Sequence, residues 1–242
     1  MIKTFKMGIH VKPWVPIFVF FALISSLTLA QKRELGGGIG ILSYTGDLSR
    51  NALTNPLRPG LNVFYRFNMR DHLSIRVSFL AGGLAGTDAK PIDAFSTARA
   101  SSFNIFLSEF STGLEYYFLN FRGKRSGINW SPYFLGGLGI FGMLGQDNKT
   151  ATYSNVQLAI PLAFGFRYKA SPRWSFAAEA GVRATLFDYL DNISEGDLFN
   201  KNYQYGNPFD NDKYYFAGVS VSYTFYKVEC PGLPLEQTFR RR

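Results

Sequence analysis

The chain has 242 residues and a formal net charge of +9, and it is rich in aromatic residues (17%) and poor in charged ones (18%). This balance excludes a disordered chain, because disorder requires low hydrophobicity and high charge. A single Cys excludes an internal disulfide framework and a zinc cluster of several thiolates. With only two His as well, the composition disfavours an enzyme, and we expect no catalytic residue, no cofactor and no metal ion.

Residues 1–30 have the layout of a secretory signal peptide. A lysine-containing start precedes an apolar run over Trp14–Ala30 that ends in a small residue. This order predicts cleavage before Gln31. The alternative is an uncleaved membrane anchor, for which the apolar run is short.

Most of the remaining chain alternates between apolar residues and small or polar ones. The clearest case is Val156–Lys169, where every second residue is a large apolar one. Such alternation predicts a β-strand, because successive side chains of a strand point to opposite faces. The sequence predicts eight strands in all, over residues 35–47, 61–68, 73–80, 102–118, 132–144, 156–169, 174–186 and 215–225.

The connections between these strands alternate in length. Short or intermediate turns are expected at 69–72, 123–130 and 170–173, and long polar loops at 48–58, 87–101, 146–155 and 191–212. Short periplasmic turns, long outer loops and an even strand number are typical of outer-membrane barrels. We therefore predict an all-β fold, an eight-stranded antiparallel up-and-down transmembrane β-barrel in the outer membrane with both termini periplasmic.

A soluble β-sandwich is the alternative, but it gives no reason for loop lengths to alternate. Aromatic residues at the predicted inner strand ends favour the barrel, since an interfacial girdle is expected there: Tyr65, Phe67, Phe118, Phe166, Tyr168, Trp174, Tyr223 and Phe225. The predicted segments are a signal peptide (1–30), the outer-membrane barrel (31–228) and an extended basic periplasmic tail (229–242).

Seven charged residues fall on the face opposite the apolar one and are predicted to point into the barrel. They are Arg66, Arg76, Glu109, Glu115, Arg167, Glu179 and Arg183. Eight strands leave an interior just wide enough for side chains, and unpaired buried charge is costly. We expect these residues to form internal ion pairs; the alternative is a narrow pore for small solutes.

Three further patterns are weak functional signals. Gly137–Gly142 fits G-x-G-x-x-G but lies within a predicted strand, without the strand–helix turn that a nucleotide site needs. His72 lies in a predicted inner turn, where we expect a solvated residue. The acidic loop at 188–212 lacks EF-hand spacing, so we interpret it as a solvated loop rather than a calcium site.

Basic residues collect at the predicted periplasmic end. An acidic periplasmic protein is the functional interpretation of this charge, and contact with anionic lipid or cell-wall polymer is the alternative; nucleic acid is not expected across a secretory membrane. Cys230, a lone thiol, allows an intermolecular disulfide but is expected to be inert. The candidate partner contacts are Arg122, Lys124, Arg125, Arg240, Arg241 and Arg242.

Several segments resemble the PorG-like family of outer-membrane barrels. They include Glu34–Gly40, Tyr44–Leu48, Glu115–Phe118 and Glu179–Arg183. The most specific is the motif Asp188, Tyr189, Leu190 and Asp191. The resemblance covers roughly residues 35–230.

The resemblance implies a non-catalytic role in the type IX secretion system. The barrel would tether the periplasmic ring of lipoprotein and partner subunits to the outer membrane, with outer-membrane lipid around it. Two alternatives remain open: the narrow pore, and a surface adhesion or binding barrel that uses loops 87–101 and 191–212.

Overall fold

The computed structural model describes ten strands. Its described residues are 33–46, 48, 55–87, 102–122, 127–145, 154–186, 189–190, 196–197, 202–203 and 212–225. The strands are β1 (Arg33–Thr45), β2 (Arg58–Asn68), β3 (Leu73–Thr87), β4 (Ser102–Tyr117), β5 (Trp130–Leu144), β6 (Val156–Lys169), β7 (Trp174–Thr185), β8 (Gly196–Asp197), β9 (Asn202–Tyr203) and β10 (Lys213–Phe225).

Eight of these strands close into one antiparallel barrel in the order β1-β10-β7-β6-β5-β4-β3-β2. β1 and β10 close it along their full length, from Arg33 opposite Phe225 to Thr45 opposite Lys213. Closure leaves no sheet edge with unpaired backbone groups. The predicted eight-stranded antiparallel barrel is confirmed, whereas the predicted signal peptide and the tail 229–242 lie outside the described residues.

The strand order places the connections at two ends. The short-turn end carries residues 69–72, 118–129 and 170–173 together with the start of β1 and the end of β10. Two of these turns are closed by backbone hydrogen bonds, from Met69 N to Leu73 O and from Ala170 N to Trp174 O, both 3.1 Å. The long-loop end carries the other four connections, and the last of them contains the two-residue pair β8 and β9.

Four strands are longer than predicted, β5 and β10 by two residues each and β2 and β3 by more. β2 begins at Arg58, where it still pairs with Leu42 of β1. β3 continues past Leu80 as far as Thr87, which pairs with Ser102 of β4. The extensions of β2 and β3 contain Gly60, Gly82, Gly83 and Gly86. Glycine has no side chain, so it interrupts the alternation of apolar and polar residues by which a strand is predicted.

The outer wall of the barrel is apolar on every strand. Ile39 is 66% exposed, Leu138 68% and Val219 60%, and exposed large hydrophobic residues lie on all eight barrel strands. Soluble monomers do not expose a continuous apolar surface of this extent. An outward apolar band is the surface of a barrel that crosses a lipid bilayer with its strands.

Aromatic side chains of neighbouring strands contact one another around the short-turn end. Trp130 stacks on Phe166 with ring centroids 5.1 Å apart, and Trp174 meets Tyr223 edge-on at 5.1 Å. Within β2 itself, Tyr65 and Phe67 make a similar edge contact at 4.7 Å. Aromatic girdles of this kind lie at bilayer–water interfaces. The described residues contain no helix that is long and apolar enough to span a membrane.

Candidate functional site: the barrel lumen

The interior of the barrel contains a chain of ion pairs. The seven residues predicted to point inward are buried, and an eighth, Glu34, joins them. Arginines and glutamates alternate along the chain in the order Arg167, Glu34, Arg66, Glu115, Arg76, Glu179, Arg183 and Glu109. We call these eight residues the ionic chain; four positive and four negative groups make it neutral.

Three short ion pairs lie at the short-turn end of the ionic chain. Arg66 holds two carboxylates at once, Nη1 lying 2.8 Å from Glu34 Oε2 and Nε 2.5 Å from Glu115 Oε2. Arg167 Nη2 contacts the same Glu34 oxygen at 2.5 Å. Bonds between charged groups are roughly twice as strong as neutral ones, so this part of the lumen is held rigidly.

The ionic chain then continues towards the middle of the barrel. Arg76 Nη1 lies 3.2 Å from Glu115 Oε1 and 2.6 Å from Glu179 Oε2. Arg183 makes looser contacts, at 4.0 Å to Glu179 and 3.5 Å to Glu109. Since β3 and β7 are not neighbours in the sheet, the Arg76–Glu179 pair spans the lumen.

Each carboxylate of the ionic chain also accepts a hydrogen bond from a neutral side chain. Tyr117 donates to Glu115 at 2.5 Å, Tyr133 to Glu179 at 2.8 Å and Tyr214 to Glu109 at 2.9 Å. Asn68 Nδ2 donates to Glu34 at 2.6 Å. Buried charges are stable only when such additional bonds satisfy their remaining lone pairs.

The arginines of the ionic chain also contact aromatic rings. The guanidinium carbon of Arg66 lies 4.7 Å from the centroid of the Phe64 ring, and that of Arg76 lies 5.6 Å from it. Arg183 lies over Phe216 at 5.3 Å. These rings fill the space between guanidinium groups and contribute cation–π attraction.

Towards the long-loop end the interior becomes apolar. We call this cluster the apolar cap; it consists of Leu42, Tyr44, Leu48, Leu80, Leu84, Ile105, Leu107, Phe141, Met143, Ala159, Leu190, Tyr214 and Phe216. Phe141 and Tyr214 meet at 5.6 Å between ring centroids. The described part of the lumen is thus filled with side chains, charged ones in one half and apolar ones in the other.

Asp212 fastens the last long connection to the apolar cap. Its carboxylate accepts bonds of 2.8 Å from the Tyr44 hydroxyl and from the Leu190 backbone N–H. Thr185 Oγ1 donates to its carbonyl oxygen at 2.7 Å. Leu190, one of the two described residues of the resemblance motif, is therefore buried, and Tyr189 lies beside it, whereas Asp188 and Asp191 lie outside the described residues.

Arg122 lies across the mouth of the barrel at the short-turn end. It donates to Arg70 O at 3.1 Å and Ser74 Oγ at 2.8 Å, and its guanidinium carbon lies 4.3 Å from the centroid of Tyr117. Burial lowers the pKa of Arg122 from its ordinary value. Among the predicted partner contacts Arg122 alone is described; Lys124, Arg125, Arg240, Arg241, Arg242 and the tail residue Cys230 lie outside the described residues.

The structure also shows where the other sequence patterns lie. Gly137–Gly142 lies inside β5, and the next element among the described residues is the strand β6. His72 is partly buried rather than simply solvated, because its Nδ1–H donates to Tyr117 O at 2.7 Å. Within the described residues, no three His, Cys, Asp or Glu side chains are placed to hold a metal ion.

A glycine makes room for one of the tyrosines. Tyr133 faces Gly165 of β6 across the sheet, and a Cβ on Gly165 would lie 2.6 Å from Tyr133 Cε1. The backbone conformation at this position does not require glycine. The space occupied by the Tyr133 ring does. The long inward side chains of this strand pair therefore depend on the residue opposite them.

We expect Gly165→Ala to lower the free energy of unfolding by about 1–3 kcal/mol, because the added methyl group displaces Tyr133 from Glu179. Urea titration of the barrel in lipid vesicles, followed by Trp fluorescence, measures the change. Gly136→Ala is the matched control, since a Cβ there meets its nearest atoms at an ordinary 3.5 Å. Equal stability of the two variants would contradict this account of Gly165.

Several solved structures are similar to this chain. Neisserial surface protein A is similar with a TM-score of 0.51 and 9% identity, over 80% of this chain and 97% of that one. The attachment invasion locus protein Ail of Yersinia pestis, in complex with the heparin analogue sucrose octasulfate, gives 0.45 and 12% over 81% and 100%. OprG, an outer membrane protein of Pseudomonas aeruginosa, gives 0.44 and 11% over 82% and 97%.

Comparison with curated proteins finds no match. One family does match, and its description is "Domain of unknown function (DUF6089)"; the match runs over residues 14–232. Because it covers far more than half of the chain, the chain belongs to the DUF6089 family.

Proposed function

We propose that the protein is a non-catalytic outer-membrane barrel that anchors the periplasmic ring complex of a type IX secretion system. The filled lumen is the observation that supports a barrel that neither catalyses a reaction nor conducts ions. The ionic chain is neutral and internally paired, and the apolar cap closes the other half. The activity of such a barrel belongs to its outer surfaces and ends.

The resemblance to PorG-like barrels supports the secretion role. Two of the segments that carry it belong to the lumen: Glu34–Gly40 begins with a residue of the ionic chain, and Glu179–Arg183 contributes two more. These residues stabilise the barrel, so the partner contacts must lie elsewhere. The basic turn 118–129 at the short-turn end is the surface that we assign to the partner.

Arg122 has a positioning role in this proposal. Its guanidinium group is bonded to Arg70 and Ser74 and stacked on Tyr117, so it fixes the start of the turn that carries Lys124 and Arg125. Those two residues, with Arg240–Arg242, supply the charge for an acidic periplasmic subunit. Complementary charge raises the rate of encounter and sets orientation.

The filled lumen disfavours the narrow pore. An ion entering the lumen must displace either apolar side chains or carboxylates already paired with arginine, and breaking such pairs is costly. The adhesion alternative depends on loops 87–101 and 191–212, and most of their residues lie outside the described ones. Among the described residues, no specific contact favours it over the anchoring role.

Charge reversal at the basic turn tests the proposal. We expect cross-linked, detergent-solubilised membranes to yield ring subunits with the tagged full chain, and Lys124→Glu with Arg125→Glu to lower their recovery about tenfold, because rim charges govern encounter rates. Quantitative mass spectrometry of the co-purified proteins measures the recovery.

The matched control reverses two lysines in connections at the long-loop end, Lys90→Glu with Lys149→Glu. It should leave recovery unchanged. If both double variants recover ring subunits like the wild type, the assignment of the basic turn is wrong. If the wild-type barrel is recovered alone despite efficient cross-linking, the anchoring role itself is wrong.

A further inference from the structure

The lipid-facing wall carries an apolar groove near the long-loop end. Its volume is about 1080 Å³, and it runs over β1, β2, β3 and β10. The groove exists because some outward residues are small where neighbouring parts of the wall carry large side chains. The small residues are Pro59, Ala81, Gly83 and Ala217. Phe106 and Val219 form its sides.

The groove continues towards the short-turn end. Ile39, Leu61 and Val219 also line a second groove of about 740 Å³, and this one reaches Phe166 and Tyr168 in the aromatic girdle. A flexible apolar chain could therefore lie along the wall from the long-loop end downwards. In a bilayer, acyl chains of lipids have this shape and orientation.

A cation stands at the upper rim of the groove. Arg58 begins β2, is exposed, and packs its aliphatic stem over Gly83: a Cβ on Gly83 would lie 3.2 Å from Arg58 Cβ and 3.4 Å from its Cγ. No ion pair between described residues includes Arg58. Its stem thus lies at the edge of the groove beside Gly83, and a long cationic side chain in this place can extend its charged end to the headgroup region.

We propose that this groove binds an acyl chain of an anionic, phosphate-bearing lipid from the leaflet at the long-loop end, with the headgroup phosphate paired to Arg58. Charge complementarity selects the lipid class, because a guanidinium group binds phosphate through two parallel hydrogen bonds. The small residues provide the fit for the acyl chain. This inference requires a membrane-embedded barrel but no secretion role.

Native mass spectrometry of the full chain, released from micelles that contain phosphatidylglycerol and phosphatidylcholine in equal amounts, tests the proposal. We expect the wild type to retain phosphatidylglycerol about fivefold more than phosphatidylcholine, the effect of one basic side chain near a membrane surface. Arg58→Gln should remove the preference and keep some lipid bound. Ala217→Leu, which fills the groove, should lower retention of both lipids.

Two matched controls separate the groove from the rest of the wall. Arg173→Gln removes an exposed arginine at the short-turn end, and Ala184→Leu enlarges an outward alanine of β7 outside the groove. Neither should change lipid retention. Equal retention of both lipids by the wild type, an unchanged preference in Arg58→Gln, or paired copies of the chain in place of lipid adducts would each overturn the proposal.

Discussion

Phe141→Ala is expected to lower the free energy of unfolding by about 3–5 kcal/mol, the usual cost of removing a buried aromatic side chain. Phe141 is 1% exposed and packs edge-on against Tyr214 in the apolar cap. Removal of the Phe141 ring leaves a cavity, and the closed sheet cannot contract to fill it. Urea-induced unfolding and refolding in lipid vesicles gives the free energy of each variant.

The neighbouring residue supplies the control. Ile140 lies on the same strand but points outward and is 49% exposed. Ile140→Ala removes contact with lipid rather than with the lumen, so its cost should stay below about 1 kcal/mol. If the two substitutions cost the same, the long-loop half of the lumen is not packed as described.

Glu115→Gln is expected to cost about 3 kcal/mol, because it leaves buried guanidinium groups without a full complement of negative charge. Glu115 is fully buried and lies between Arg66 and Arg76, at 2.5 and 3.2 Å. The variant keeps the size of the side chain, so the change in unfolding free energy measures uncompensated charge rather than lost packing.

Asp71→Asn makes the same chemical change at an exposed turn. Its carboxylate accepts one exposed bond of 3.2 Å from Asn120, and surface substitutions of this kind usually stay within about 0.5 kcal/mol. Should Glu115→Gln prove as mild as Asp71→Asn, the ionic chain would not stabilise the barrel. The same urea titration serves both variants.

The sequence predicts the fold wherever the two faces of a strand differ in chemistry. Residues 156–169 form β6 with the predicted bounds, since large apolar residues alternate with small or polar ones along the whole segment. The glycine-rich end of β3 beyond Leu80 gives no such contrast and is missed. Loop lengths predict the strand order, because antiparallel neighbours are joined alternately at the two ends.

The sequence predicts which residues form the candidate site, but it does not predict which of them contact each other. Alternation places seven charged residues inside, yet the pairing of Arg76 with Glu179 depends on which strands face each other across the lumen. Glu34 is missed because the predicted strand starts one residue later, although Leu35 on the outer face implies it. Tyr133 is missed because aromatic residues are otherwise assigned to the membrane face, and Tyr214 because the predicted last strand starts one residue later.

The ionic chain has a consequence for assembly of the barrel. Strands β1–β4 contribute three of its glutamates and two of its arginines, whereas β5–β10 contribute two arginines and one glutamate. A sheet made of either half alone would bring one net charge into hydrocarbon, negative for β1–β4 and positive for β5–β10, and joining the two halves cancels it. The separate halves are therefore penalised electrostatically in hydrocarbon, which favours joining them before either one inserts alone.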